Sequence, residues 1–342
     1  MSSDTIKVLI TVNFSEEILQ QLREISPRLE IISRPARNYT DMAAQIWQEA
    51  EILYTGSVFP PADAMPKLKW VQSHFAGADE TLKQPLIQQH REVIITSTRG
   101  IHATKMAEYA IGMCIALGHK FPQMREAFRK KEWSYDRHQK FMAVELRGAT
   151  LGIVGYGAIG REIARLAKCF GMTVLAAKRN VRQVEETDHY TVDDTGDKYG
   201  NAFDRLYPPQ ALATMVRDCD FVVVTTPLTE KTHNLYSEKV IQAMKPGSYL
   251  INIGRGGVVD ENALLEALKS GHLAGAALDV FETEPLPEDH PLWTAPNIVI
   301  TPHIAGGMVT YNEKAADIFE ENLRRYLEKK PLLNVVDRDE GY

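Results

Sequence analysis

Short apolar runs recur along the first hundred residues, with helical stretches between some of them. "KVLITV" at 7–12, then "LEIIS", "EILYTG", "LKWVQSH" and "VIITS" near 30, 53, 71 and 95, read as buried strands. "SEEILQQLREIS" at 15–26 reads as a helix, with Ser15 as N-cap and acids in its first turn. Such alternation predicts a first α/β unit with a parallel sheet over residues 1–100.

Two apolar helices follow, at 103–118 ("ATKMAEYAIGMCIALG") and about 121–131. They are more apolar than a solvent-facing pair should be, so they line either a core or a subunit interface. From 149 the rhythm restarts with strand, glycine turn and helix in "ATLGIVGYGAIGREIARLAKCFG". "TVLAA", "DFVVVTTP" (220–227), "SYLINIG" (248–254), "LAGAALDVF" (273–281) and "NIVITPH" (297–303) supply further strands, and helices are readable at 237–243 and 260–269. Six candidate strands make a second, doubly wound unit. A last amphipathic helix over 307–329 must pack somewhere, and a return to the first unit would make that unit discontinuous. One stretch breaks the rhythm. Residues 183–208 hold seven acids and only two Lys or Arg, and read as an irregular, solvated excursion rather than a binding site.

Composition narrows the class. The chain has 342 residues, 44% hydrophobic and 25% charged, which is ordinary for a soluble enzyme of two cores. A net charge of −6 argues against a nucleic-acid or anionic-membrane partner. Cys114, Cys169 and Cys219 lie far apart without CxxC spacing, and read as buried thiols in a reducing compartment, with no metal site. No secretory pattern and no bilayer-spanning run is visible, so the default location is cytoplasmic.

The chemistry collects at strand ends. "GYGAIG" spells Gly155-x-Gly157-x-x-Gly160, with Tyr156, Ala158 and Ile159 between. Gly155 permits a tight turn, Gly157 lets backbone approach a pyrophosphate, and Gly160 lets helix pack on strand; the helix N-terminus then faces the phosphates. The strand after it should end in an acid that grips a ribose, yet "VLAAKRN" ends in Lys178 and Arg179. That pair inverts the sign of the site and favours NADP(H) over NAD(H), since arginine can grip a 2′-phosphate bidentately. "LINIGRGGVVDE" sets Arg255 between glycines, open to a carboxylate, before Asp260 caps a helix. "LDVFETEPLP" puts Asp279 at a strand end, with Glu282 as solvated surface, and "TPHIAGG" puts His303 at the end of the last strand.

The order Arg255, Glu284, His303 after such a glycine loop resembles the D-isomer-specific 2-hydroxyacid dehydrogenases, which include glyoxylate/hydroxypyruvate reductases. "NIGRGGVVDE", "AALDVFETEPLP" and "TPHIAGG" carry the resemblance, and "AGAD" at 76–79, "MAE" at 106–108 and "TPLTEKT" at 226–232 agree with it. It implies a Rossmann cofactor domain (103–303) inserted into a flavodoxin-like substrate domain (1–102 and 304–342), and a homodimer joined mainly through the cofactor domains. It also implies roles. Arg255 would hold the carboxylate and keto oxygen of a small 2-keto acid, and His303 would be general acid in reduction and base in oxidation. Glu284 would orient His303, Asp279 would meet the nicotinamide carboxamide, and N–H groups near Ala76 and Gly77 would bind the carboxylate. Thr226, Pro227, Thr232, Ile253, Gly254 and Gly306, with Arg255 and His303, would line the dinucleotide. Trp133 is either an ordinary packed indole or a residue that reaches a partner's site. A competing reading on the same fold is a nucleotide-sensing corepressor that works by binding protein. Formate dehydrogenase fits less well, because its active-site Gln-x-x-x-His is absent from "PHIAGG".

Overall fold

The computed structural model describes residues 5–185, 190 and 195–339. Among these the chain divides into two compact units, one of 5–101, Tyr190 and 308–339, the other of 102–185 and 195–307.

The first unit is a five-stranded parallel sheet. Its strands are β1 (Ile6–Ile10), β2 (Leu29–Ser33), β3 (Ile52–Thr55), β4 (Trp70–Ser73) and β5 (Ile94–Thr96), in the order β2-β1-β3-β4-β5. All four residues of β3 and of β4 are buried, as continuous apolar runs between two helical layers should be. Ser15 caps the Glu16–Glu24 helix by accepting from the Ile18 N–H at 3.3 Å. The terminal helix, Tyr311–Leu327, buries Ala316, Phe319 and Leu323 against this sheet, with Phe319 and Tyr326 both packed on Trp70. It begins at Tyr311 and not at 307, because the Gly307 N–H instead closes a turn on the Ile304 carbonyl at 2.8 Å.

The second unit holds seven parallel strands: β6 (Thr150–Val154), β7 (Thr173–Ala177), β8 (Arg205–Tyr207), β9 (Phe221–Val224), β10 (Tyr249–Asn252), β11 (Gly275–Leu278) and β12 (Ile298–Ile300). Their order is β12-β11-β10-β9-β6-β7-β8, so the winding reverses between β6 and β9. The register matters more than the order. Ala177, Val154, Val224, Asn252, Leu278 and Ile300 stand side by side across the sheet. Every segment that follows one of them therefore emerges along one carboxyl edge, where doubly wound sheets hold ligands.

Three expectations are corrected. The sequence suggested six strands; β8 is the seventh, three residues long within the acidic excursion. Nor are the described residues of that excursion merely solvated, since Asp197 is 5% exposed and its carbonyl accepts from Arg161, while the Gly196 N–H donates to Glu162, both partners being 1% exposed on the Ala158–Cys169 helix. All three cysteines are free, but only Cys114 and Cys219 are buried, and burial pushes both thiols up to about 12. Cys169 is exposed. No helix among the described residues is long and apolar enough to cross a membrane, and no group of three or more His, Cys, Asp or Glu could hold a metal.

The Ala103–Gly118 helix buries Ala107, Ala110, Cys114 and Leu117 against β6 and its helix, which places it in the core. The Phe121–Arg129 helix buries only Ala127 and leaves Phe121, Met124 and Phe128 exposed.

Candidate active site

The glycine turn is forced by space. Gly155 has φ +105°, and a Cβ there would stand 2.6 Å from Thr225 Oγ1 and 3.1 Å from the Thr226 nitrogen. At Gly160 a Cβ would lie 2.1 Å from the Gly155 carbonyl oxygen. Gly157 caps the Ala158–Cys169 helix in an extended conformation. The N–H groups of Ala158, Ile159 and Gly160 thus open a helix with no intrahelical acceptor, at its positive end. Tyr156, within the same turn, points its side chain into the protein. Its side chain is 2% exposed and its hydroxyl donates to Asp197 Oδ2 at 2.6 Å, which leaves only its main chain to a ligand.

Across the switch point Thr225 Oγ1 donates to the Gly155 carbonyl at 2.8 Å. Thr226 Oγ1, next along, is buried and has no hydrogen-bond partner. An orphaned hydroxyl beside a cleared glycine turn is what a polar ligand would satisfy. Gly254 has no room for a side chain either, because its Cβ would lie 2.6 Å from the Thr226 carbonyl oxygen. Pro227 is exposed, and Ile253 is 2% exposed with its N–H on the Val224 carbonyl at 3.1 Å. Thr232 is occupied within its own turn; its hydroxyl donates to the Pro227 carbonyl at 2.6 Å and accepts from the Thr229 N–H at 2.8 Å.

Lys178 and Arg179 leave β7 directly beside this turn, since the Gly155 N–H donates to the Ala177 carbonyl at 3.1 Å. Lys178 Nζ donates to the Gln183 carbonyl at 2.7 Å, and Arg179 is exposed. Arg182, a third exposed cation in the same turn, was not singled out in the sequence, although "KRNVR" contained the signal.

The other half of the edge carries Glu284, His303 and Asp279. Glu284 Oε2 and His303 Nδ1 are 2.7 Å apart, and Glu284 Oε1 is fixed by the Phe281 N–H at 2.9 Å. A carboxylate at Nδ1 accepts the proton of that nitrogen and leaves Nε2 as the other ring position. His303 has φ +50°, a left-handed conformation that non-glycine residues reach only when their surroundings impose it. Asp279 imposes it. Its carbonyl accepts the His303 N–H at 2.8 Å. Its carboxylate, 1% exposed, accepts from the Thr301 hydroxyl, the Ile304 N–H at 2.9 Å and the Ala305 N–H at 2.8 Å. Tyr109 meets Thr301 from the neighbouring helix at 2.6 Å, and His102 Nδ1 meets the Gly306 carbonyl at 3.0 Å.

Arg255 follows β10 and is half-buried, its Nη1 donating to the Gly254 carbonyl at 2.9 Å. Asn252, 1% exposed, ties this turn with both ends of its amide, to the Gly254 N–H and the Arg255 carbonyl, each at 3.1 Å. Gly256 presses on the loop that bears Glu284, since a Cβ there would fall 1.8 Å from the Phe281 carbonyl carbon. Glu282 is exposed, as its sequence context suggested. Sequence reading missed Asn252, Thr301 and Tyr109, whose partners come from separate segments or from the local turn. Ala76 and Gly77 belong to the first unit, in the turn after β4, where the Phe75 N–H meets Ser73 Oγ at 3.2 Å.

Comparisons with known proteins converge on one family. Residues 111–305 match the family model described as D-isomer specific 2-hydroxyacid dehydrogenase, NAD binding domain. A glyoxylate reductase of Thermofilum pendens is 34% identical over 262 residues, 76% of this chain and 72% of that one. A D-3-phosphoglycerate dehydrogenase of Bacillus subtilis is 31% identical over 97% of this chain, which spans 59% of its length. Among solved structures, a D-isomer specific 2-hydroxyacid dehydrogenase family protein from Aeromonas salmonicida is 33% identical with a TM-score of 0.78, covering 98% of this chain and 100% of that one. An NADPH-dependent glyoxylate/hydroxypyruvate reductase from Sinorhizobium meliloti, solved with NADP and sulfate, is 26% identical with a TM-score of 0.77, covering 99% of this chain and all of the other.

Proposed function

Because this chain belongs to the D-isomer specific 2-hydroxyacid dehydrogenase family, we propose that it reduces a small 2-keto acid, of the glyoxylate or hydroxypyruvate kind, to the D-2-hydroxy acid, with NADP(H) preferred over NAD(H). The observation that carries the reading is the 2.7 Å pair of His303 and Glu284 on the same sheet edge as Arg255 and the glycine turn.

The residues present fit a nicotinamide dinucleotide. Gly155 makes the tight turn and Gly160 packs helix on strand where no Cβ would fit, Gly157 would let the main chain approach the pyrophosphate, the first helical N–H groups face its charge, and Thr226 Oγ1 awaits a polar partner. When bound, the coenzyme supplies the hydride. Every other task falls to the chain. As negative charge grows on the keto oxygen, His303 Nε2 delivers the proton, and Glu284 balances the imidazolium and holds the ring. Arg255 takes the substrate carboxylate and stabilises the developing alkoxide; a planar fork with fixed donors suits both. Asp279 serves by fixing the turn of His303, and its deep burial and three donors support that role over contact with the carboxamide.

Lys178, Arg179 and Arg182 support the coenzyme preference, because three cations at one strand end attract a 2′-phosphate. A homodimer belongs to the same reading. Phe128, Trp133, Tyr135 and Met142 are 81, 83, 98 and 63% exposed in one stretch, an apolar surface that a second copy would cover. A kinetic panel of glyoxylate, hydroxypyruvate, pyruvate, 2-ketoisocaproate and phenylpyruvate, each with NADPH and NADH, tests the reading. Turnover of at least one acid, faster with NADPH, is expected, and no oxidation of either coenzyme with any acid overturns it.

A further inference from the structure

We propose that Asp197 is a positioning residue for the coenzyme: it holds Tyr156, and through Tyr156 it fixes the glycine turn. The inference rests on the dehydrogenase reading above.

Tyr156 lies between Gly155 and Gly157, so any shift of its ring moves the main chain that must approach the pyrophosphate. The ring is fastened on three sides. Its hydroxyl donates to Asp197 Oδ2 at 2.6 Å, the Arg161 guanidinium lies 4.9 Å from its centroid, and Phe203 meets it edge-on at 5.3 Å. Asp197 is fastened in turn. The Asn201 N–H donates to Oδ1 at 2.8 Å and the Ala202 N–H to Oδ2 at 3.0 Å, while Arg161 donates to its carbonyl. Burial pushes the Asp197 carboxyl up, but the Tyr156 and backbone hydrogen bonds and the Arg161 charge outweigh it, so the group stays below its ordinary value and ionised.

The same described residues reach the other half of the cradle. Glu162 accepts the Gly196 N–H at 2.6 Å, so the segment before Asp197 is held to the first turns of the helix. Asp204 Oδ2 accepts the Val174 N–H at 2.7 Å, and β8 then pairs with β7, where the Lys178 N–H donates to the Tyr207 carbonyl at 3.0 Å. Residues 196–207 therefore join the glycine turn to the strand that ends in Lys178 and Arg179. Packing alone does not ask for this. A phenylalanine would fill the space of Tyr156 without desolvating a hydroxyl or a carboxylate, and buried charges are costly unless they hold something in place.

The test compares Asp197→Asn, Tyr156→Phe and the double variant with the unaltered protein, by NADPH fluorescence titration, steady-state kinetics and circular dichroism. Tyr156→Phe removes the one bond between the two residues, and Asp197→Asn weakens that bond together with those from the Asn201 and Ala202 N–H groups, each while conserving shape. Kd and KM for NADPH are expected to rise about tenfold, the equivalent of ~1.4 kcal/mol, with kcat and the keto-acid KM within about twofold. The double variant should be no weaker than the weaker single one by more than about twofold, because both remove the same bond. Unchanged coenzyme affinity in a folded Tyr156→Phe variant overturns the proposal, as does a loss confined to kcat; if Asp197→Asn does not fold, Tyr156→Phe decides alone. Failure of the unaltered protein to bind either NADPH or NADH is a different result, and it removes the dehydrogenase reading itself.

Discussion

Two histidines stand just past parallel strands at the carboxyl edges of their own sheets, and they have opposite chemistry. His74 follows β4 in the first unit and is largely buried among the rings of Phe14, Tyr54, Phe75 and Tyr311. Its Nδ1 lies 2.8 Å from the Tyr54 hydroxyl, and burial pulls its pKa down to about 4. Tyr54 is fully buried and pushed well above the ordinary phenol value, so it keeps its proton and donates it. His74 is thus a neutral acceptor. His303, past β12, is half-exposed, faces a carboxylate at 2.7 Å and is held at φ +50°. The partner sets the surroundings: a buried phenol holds His74 as a neutral acceptor, whereas a carboxylate at Nδ1 orients His303 for the proton transfer proposed above.

The comparison breaks most sharply at His303. His303→Gln keeps a polar side chain but cannot shuttle a proton, and kcat should fall by about 10³-fold while NADPH binding is retained. Stopped-flow turnover and fluorescence titration of one preparation measure both. A variant that keeps most of its turnover ends the assignment.

For His74 the expected effect is on stability and its sign follows from the direction of the shift. The unfolded chain binds a proton near pH 6.5, the folded one only near pH 4, so protonation favours unfolding between those values. Stability contributed by the neutral ring is fully present above pH 6.5 and is lost as the pH falls towards 4, by at most about 3 kcal/mol. Melting curves of the protein and of His74→Gln, taken from pH 7 to 4, should diverge in that window. Parallel curves would assign the acid sensitivity to other groups.

A smaller effect sharpens the same contrast. Glu284→Gln keeps a hydrogen-bond partner for His303 Nδ1 and removes only the charge. We expect kcat to fall by about 10- to 100-fold, less than for His303→Gln, with NADPH affinity unchanged. Equal losses for both would mean that Glu284 takes part in the chemistry directly.

The sequence foretold the two edges unequally. Strands β1 to β7 and β9 to β12 were readable because parallel strands buried on both faces are continuous apolar runs. β8 was not, because "RLY" is three residues with a charge at its start, set in an acidic stretch. The glycine turn was legible for a local reason: close approach permits no Cβ, and spacing alone records that. The Glu284–His303 pair was legible only through a family pattern. What holds it was hidden, since Asp279 reaches Thr301, Ile304 and Ala305 more than twenty residues on. Charges misled in the excursion. Asp197 looks like any solvated acid in "DDTGDKYG", and only the fold brings Arg161 and Tyr156 to it.

Lys178 and Arg179 give the mildest test and bear on which partner comes to the glycine edge. Both follow β7, but they are not equivalent. Lys178 Nζ donates to the Gln183 carbonyl, and Arg179, exposed beside it, carries a guanidinium in place of an ammonium. An ammonium held by its own loop adds charge, and a guanidinium can add two parallel bonds to a phosphate. Arg179→Ala should therefore cost more NADPH affinity than Lys178→Ala. Losing such a contact at an exposed site costs about 1.4 kcal/mol, so kcat/KM for NADPH should fall about tenfold while that for NADH changes little. An equal fall for both coenzymes would show that Arg179 supports the turn and not the 2′-phosphate. Should NADH match NADPH in the unaltered protein, the cations are surface charge, and the ribose is held by main-chain groups of the same turn.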